Sequence, residues 1–294
     1  MTPQDFEYLR RLLKERSGLA LAADKQYLLE TRLLPVARRV GAENLSELVQ
    51  KLRAPGAEKL ATDVVEAMMT NETFFFRDKI PFELFRDTIM PALREARASR
   101  RRIRIWCAAA SSGQEPYSLA MILKEMSGSL AGWRVDILAT DLSTEMLEKA
   151  KTGVYSQFEV QRGLPIHFLL KYFTQVGDMW QIAADLRAMV EFRPLNLLHP
   201  FSHLGAFDVV FCRNVLIYFD QPTKMDVLAR IARVTEPDGY LVLGAAETVI
   251  GLTDVFKPCD DRRGLYRPCA PASAPRLRLA QPAAADATPV AVVP

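Results

Sequence analysis

Histidine is nearly missing from this chain, with three in 294 residues, and no Ser-His-Asp or Cys-His arrangement is legible around them. Acyl transfer through an activated nucleophile is disfavoured accordingly. His199 and His203 are four apart, but Pro200 stands between them and no cysteine or acid completes a set, so no metal is expected. The four cysteines show no C-x-x-C spacing, and Cys107 and Cys212 sit in apolar, strand-like runs where a thiol behaves as a small hydrophobe. No apolar stretch has the character of a secretory leader or approaches the length of a membrane span, so a cytoplasmic chain is expected. In that setting Asn71-Glu72-Thr73 is not a glycosylation site. There is no G-x-G-x-x-G, and no Pro-Pro pair anywhere. The net charge of +3 is too small to imply a nucleic-acid partner.

What is present is a soluble-protein composition, 49% apolar and 25% charged, in a chain long enough for two domains. Residues 1–70 read as helices only. Thr2-Pro3 looks like a cap followed by proline at the first helical position, with Phe6, Leu9, Leu12 and Leu13 on one face and Gly18 as the stop. Asp24 is expected to cap a second helix, kinked at Pro35. Asn44-Leu45-Ser46-Glu47 reads as a capping box for a third, and Pro55 as the opening of a fourth. From residue 103 the pattern changes to apolar strands alternating with helices: "IRIWCAA" (103–109), "VDILATD" (135–141), "FDVVFCRN" (207–214) and "YLVLGAAE" (240–247). The fold class is therefore α/β, a parallel sheet covered on both faces, preceded by a small all-helical domain. Residues 155–190 break into short pieces and read as a small β-rich insertion within a domain spanning 91–268. Residues 269–294, nearly all Ala, Pro and small polar groups, are expected to be disordered. The basic runs Arg100–Arg102 with Arg104, and Arg38–Arg39, are either a solvated face with favourable helix-end charges or a partner surface.

In an open parallel sheet, ligands bind beyond the carboxyl ends of the strands. After the first strand comes "AAASSGQEP" (108–116), whose small residues let backbone approach a ligand. Glu115 there is either a ligand contact or an acid in a first helical turn. After the second strand stands Asp141, which either holds ribose hydroxyls or caps the helix that follows. Gly113 is the loop's only glycine and a carboxylate follows it, so a pyrophosphate would be repelled. S-adenosylmethionine fits better, with ribose, adenine and a cationic amino group but no phosphate. The turn after "FDVVFC" carries Arg213 and Asn214, with Tyr218 beyond, but lacks the Pro-Pro of enzymes that methylate base amines. Between the domains, "TNETFFFRD" (70–78) sets polar groups against three phenylalanines and an arginine.

Six blocks taken in order, "TNETFFFRD", "RIWCAAASSGQEPYSLAM", "LATDLSTEMLEKAKTGVY", "FRPLNLL", "FDVVFCRNVLIYFD" and "GYLVLGAAET", resemble the successive signatures of the chemotaxis receptor methyltransferase (CheR) family, with coverage from about residue 5 to 268. The loop departs mildly, with Ala109 and Ala110 where glycine and cysteine are frequent, and Gln114 where glutamate is. The resemblance implies a Rossmann-like methyltransferase sheet and methyl transfer from S-adenosylmethionine to glutamate carboxylates on the cytoplasmic domain of chemoreceptors, leaving S-adenosylhomocysteine. It implies that Asn71, Thr73 and Arg77 contact the cofactor from a lid-like linker (71–90), and that Glu115 and Asp141 hold its amino end and ribose. Asn196, Leu197, Cys212, Arg213 and Asn214 would frame the adenine side. Arg77 and Tyr218 would lie nearest the transferred methyl, with Phe74 and Phe76 as core rings beside them. Some family members dock first on a receptor's C-terminal peptide through the insertion. A monomer is expected. The rival readings are a non-catalytic module binding S-adenosylmethionine or a receptor, and a methyltransferase for another carboxylate or RNA.

Overall fold

The computed structural model describes residues 1–259 and 262–269. The rest of the expected 269–294 tail lies outside the described residues.

Helices α1 (Pro3–Ser17), α2 (Gln26–Arg39), α3 (Leu45–Arg53) and α4 (Glu58–Met68) pack into one domain around Leu9, Leu13, Leu33, Leu48 and Val64, all fully buried. Thr2 caps α1 through a full capping box with Asp5, and left-handed Gly18 ends it. Asp24 does not cap α2: it lies in a 3-10 turn, Ala23–Lys25, and α2 runs on through Pro35. Asn44 accepts from Glu47 N as expected, but Glu47 returns to Glu43 N, one residue short of a closed box. Helix α4 starts at Glu58, after a turn that contains Pro55.

Residues 69–79 are non-helical, and α5 (Ile80–Leu84), a π-turn and α6 (Met90–Ala96) follow, packing Phe82, Phe85, Ile89 and Leu93 into an apolar cluster of the sheet. A seven-stranded sheet follows, built from β1 (Arg102–Ala108), β2 (Arg134–Asp141), β6 (Val190–Pro194), β7 (Phe207–Cys212), β8 (Thr235–Leu243), β9 (Phe256–Pro258) and β10 (Leu265–Pro268). The order is β6-β2-β1-β7-β8-β10-β9, with only the last two pairings, β8 with β10 and β10 with β9, antiparallel. These two short strands carry no apolar run long enough to announce them. Period-two alternation sends Ile103, Ile105 and Cys107 of β1 to one face and Trp106 and Ala108 to the other, each into its own apolar cluster. Helices α7 (Gln114–Glu125), α8 (Thr144–Thr152) and α12 (Gln221–Arg233) supply the covering layers.

The chain runs outward from β1 to β2 and β6, then crosses back to β7. That reversal opens a crevice at the carboxyl ends of β1 and β7, where such sheets bind ligands.

The insertion carries the small sheet expected of it, with short helices between the strands. Strands β3 (Val154–Ser156), β4 (Phe173–Val176) and β5 (Met179–Ile182) form a small antiparallel sheet, and α9 (Gln157–Gln161), α10 (Ile166–Tyr172) and α11 (Ala184–Arg187) fill the gaps. The basic run before β1 is largely committed within the molecule. Arg100 pairs with Asp208 and Glu236, Arg102 with Asp136, and Arg104 donates to the carbonyls of Ala206 and Leu204.

Candidate active site

The crevice continues into a cavity between the two domains. Its floor is the loop after β1 with the end of β2, and its far wall is the turn after β7. Its roof is the linker together with Ser17, Leu19, Met68 and Met69 of the helical domain. Among the proposed site residues, Asn71, Thr73, Arg77, Glu115, Asp141, Asn196, Leu197, Arg213, Asn214 and Tyr218 all line it. Cys212 does not. As the last residue of β7 it points into the apolar cluster beneath the sheet and is fully buried there.

Asp141 is a strand end and not a cap, since Ser143 caps α8 by accepting from Met146 N. Its carboxylate is bound on both oxygens by backbone: Oδ2 accepts from Ser111 N at 2.7 Å and Oδ1 from Ser143 N at 2.9 Å. Each oxygen keeps a lone pair for a further donor. Burial pushes the carboxyl above its ordinary range, against the pull of these amides.

Glu115 is not a surface acid of a first turn. It is buried, and its Oε2 accepts from Arg213 Nη1 at 2.8 Å. Burial raises its carboxyl too, and Arg213 opposes the rise. Arg213 thus commits Nη1 to Glu115. Its Nη2 reaches the other way, to Arg77 O and Asp78 Oδ2, each at 2.8 Å, bracing the linker against the sheet. Its Nε–H is buried with no hydrogen-bond partner among the described residues. Two buried carboxylates lining the cavity fit a ligand with hydroxyl and ammonium donors, and S-adenosylmethionine has both.

Asn196 spans the domains, donating from Nδ2 to Arg16 O at 2.7 Å while its Oδ1 receives Leu198 N. Tyr218 closes the same seam, its carbonyl accepting Ala20 N at 2.8 Å. In the linker, the phenylalanine assignment shifts by one. Phe75 and Phe76 are the buried pair, and Phe74 lines the cavity beside Arg77, whose Cζ lies 5.6 Å from the Phe74 ring centroid. Arg77 does not pair with Asp78. Its Nη1 donates to Glu72 O at 2.7 Å.

Left-handed backbone concentrates around this cavity: Phe76, Asp78, Lys79, Ala109, Ser111 and Asn214 all have positive φ. Lys79 is the tip of a tight turn closed by Ile80 N to Asp78 O at 2.5 Å. Such conformations persist at ligand sites where surrounding contacts over-determine them. Ala109 (φ 68°) stands where glycine would be free of strain. Ala109→Gly is expected to leave stability unchanged or raise it by up to about 1 kcal/mol, whereas most loop-to-glycine changes lower it. Urea unfolding checks this.

The sequence reading missed Glu247. Its carboxylate accepts four backbone amides, from Asn214, Val215, Leu216 and Gly244, and thereby shapes the turn that carries Asn214 and Tyr218. Glu247 lay inside a quoted block, but nothing in "GAAET" tells that its side chain reaches back to the neighbouring strand's turn.

A doubly covered parallel sheet with one acid at the end of β2 and another buried in the first turn of the helix after β1 marks the class: a methyltransferase using S-adenosylmethionine. Comparison with known proteins narrows this. The family profile "CheR methyltransferase, SAM binding domain" matches residues 71–265, and "CheR methyltransferase, all-alpha domain" matches residues 4–69. The chain is 43% identical over 257 residues to chemotaxis protein methyltransferase Cher2 of Pseudomonas putida, covering 86% of this chain and 93% of that one. To chemotaxis protein methyltransferase 1 of Pseudomonas aeruginosa it is 44% identical over the same shares of both chains. To the chemotaxis protein methyltransferase of Escherichia coli it is 34% identical, covering 82% of this chain and 83% of that one. The chain belongs to the chemotaxis receptor methyltransferase family and is an S-adenosylmethionine-dependent methyltransferase of chemotaxis. Among the described residues, no helix is long and apolar enough to cross a membrane.

Proposed function

We propose that the methyl acceptor is the side-chain carboxylate of glutamates on the cytoplasmic domain of chemoreceptors, giving γ-methyl esters. One observation carries this reading. Among the described residues the cavity is lined by no histidine, lysine or cysteine, and each of its three carboxylates is already engaged, Asp141 by two amides, Glu115 by Arg213 and Glu72 by Arg162. With no free base on the wall, the acceptor must arrive as a nucleophile. A glutamate carboxylate does so at neutral pH, whereas an alcohol or a protonated amine does not.

Bound S-adenosylmethionine supplies an electrophilic methyl on a sulfonium. Asp141 receives the ribose hydroxyls and Glu115 the amino end, with Arg213 holding Glu115 in place. Asn71, Thr73, Asn196, Leu197 and Asn214 shape the rest of the pocket. Arg77 orients the incoming carboxylate and Tyr218 confines it from the opposite wall. The attack joins an anion to a cation and cancels charge, so alignment and exclusion of water supply most of what is required. Arg77 must direct the carboxylate without over-stabilising it, because equal binding of ground and transition states adds nothing to kcat.

The test is incubation with receptor-bearing membranes and methyl-labelled donor, followed by mild alkali. Volatile label released by base supports the ester. Label that resists base indicates N-methylation, and no transfer indicates a binding module. Calorimetry with receptor C-terminal peptides reads whether the insertion docks on them.

The state of Asp141 gives a pH prediction. The free protein holds this carboxyl above the 3.8 of an unperturbed aspartate through burial. Hydroxyl donors favour the ionised form, so binding pulls the carboxyl down and releases a proton. Donor affinity should therefore weaken as pH falls through the raised value. Calorimetry on the acid side of neutral should show an enthalpy that changes with buffer ionisation heat. For folding the sign is reversed: the unfolded chain ionises first, so this group's contribution to stability declines as pH rises above 3.8. Affinity that stays flat down to the ordinary aspartate range would detach Asp141 from the ribose.

A further inference from the structure

Arg162, in the turn between α9 and α10, belongs to the insertion and does not line the cavity, yet it touches the linker at the two residues that hold Arg77. Its Nη2 pairs with Glu72 Oε1, and its Cζ stacks 4.4 Å from the Phe74 ring centroid. Arg77 uses the same two residues from the cavity side, donating to Glu72 O and lying over Phe74. Two guanidinium groups thus share one aromatic ring and one glutamate, one by its backbone and one by its side chain.

The contact is close by construction. Gly163, the next residue, has φ +81°, and a Cβ there would stand 2.1 Å from Phe75 O and 2.9 Å from Phe74 Cδ2. Five residues further, in α10, Phe168 stacks on Phe76 at 5.3 Å with an 18° interplanar angle. The insertion is therefore seated on residues 72–76, and its Tyr155 also donates to Ser112 O at 2.8 Å in the loop after β1. The Glu72 carboxyl is held below its ordinary range by the hydrogen bond and charge of Arg162, and to a lesser degree by the charge of Arg77.

We propose that Arg162 is a positioning residue for methyl transfer, fixing Glu72 and Phe74 so that the Arg77 guanidinium stays aimed at the acceptor. This rests on the carboxylate reading above. Both members of the Arg162–Glu72 pair are half exposed, with side-chain exposures of 40% and 53%. Exposed pairs contribute little to stability, so an effect of Arg162 on rate would not come from unfolding.

The experiment compares wild type, Arg162→Ala, Arg162→Lys, Arg77→Ala and the Arg77→Ala/Arg162→Ala double variant. Single-turnover transfer to a receptor cytoplasmic fragment is measured with donor affinity and melting temperature on the same preparations. Arg162→Ala is expected to lower kcat roughly fivefold to tenfold through misplacement alone, with donor affinity and melting temperature unchanged. Arg162→Lys should recover part of the loss, because an ammonium can meet Glu72 but cannot stack its plane on Phe74. The double variant should be no slower than Arg77→Ala, since Arg162 acts only through Arg77.

A loss confined to KM would overturn the proposal and make Arg162 a docking contact, and a wild-type kcat would overturn it outright. A wild-type enzyme that forms no base-labile product overturns the carboxylate reading instead. In that event the Arg77 Nε–H signal, followed by NMR without acceptor and assigned by its loss in Arg77→Lys, decides the positioning. It should shift or broaden in Arg162→Ala, and an unmoved signal would sink the proposal.

Discussion

Arg77→Ala should lower kcat by about 10²-fold or more while leaving donor binding within a few-fold, the expected size for losing one group that positions a reactant. The side chain lines the cavity and has one intramolecular hydrogen bond, to Glu72 O, so most of its donors remain for an acceptor carboxylate. Arg77→Lys should recover only part, because a point charge does not reproduce the planar fork that grips a carboxylate. The competing role is structural, tying the linker back on itself through that one bond. If so, Arg77→Ala would melt earlier and its rate per folded molecule would stay near wild type. A normal single-turnover rate removes Arg77 from the chemistry.

Asp141→Ala should weaken donor binding at least tenfold, since charge-assisted hydrogen bonds to ribose contribute roughly 1.5–3 kcal/mol. The same change strands the amides of Ser111 and Ser143, at a cost to folding on the order of 1–3 kcal/mol. Asp141→Asn keeps one acceptor for these amides and serves as the gentler variant. It should lose affinity with a smaller fall in stability. Calorimetry well below the melting transition, with circular dichroism on the same samples, separates the two effects. Unchanged affinity in both variants would take Asp141 out of the pocket.

Much of this arrangement was legible in the sequence where one residue type answers to one local rule. The four helices and the strands β1, β2, β7 and β8 follow from apolar periodicity, and the ligand end of the sheet follows from the alternation of strand and helix. Asp141 and Glu115 were legible as candidates because both follow strands at the ligand end of the sheet, though each also had a bland reading as a helix-start acid that only the structure removes. What stayed hidden depended on contacts between distant segments. Arg213 reads as one more polar residue of its turn, and only the fold brings it between Glu115 and Asp78. Glu247 reads as a loop acid, and only the pairing of β8 beside β7 sets it under four amides. Cys212 went the other way. Its neighbours Arg213 and Asn214 face the cavity, but strand alternation turns the cysteine itself into the core. A one-residue displacement likewise exchanged Phe74 for Phe75 in the linker, where no regular period exists to assign faces.

Gly18 ends α1 in a left-handed turn, and a Cβ there would stand 2.7 Å from the ring of Phe219, next to Tyr218. The two domains meet without a spacer at this point, and both contribute wall to one cavity. A molecule held in that cavity is therefore bonded to both domains at once. Its binding free energy counts against their separation as well as against its own escape, and by mass action the ligated chain is the more cohesive one. A side chain at position 18 would press on the Phe219 ring at this seam and is expected to weaken that cohesion.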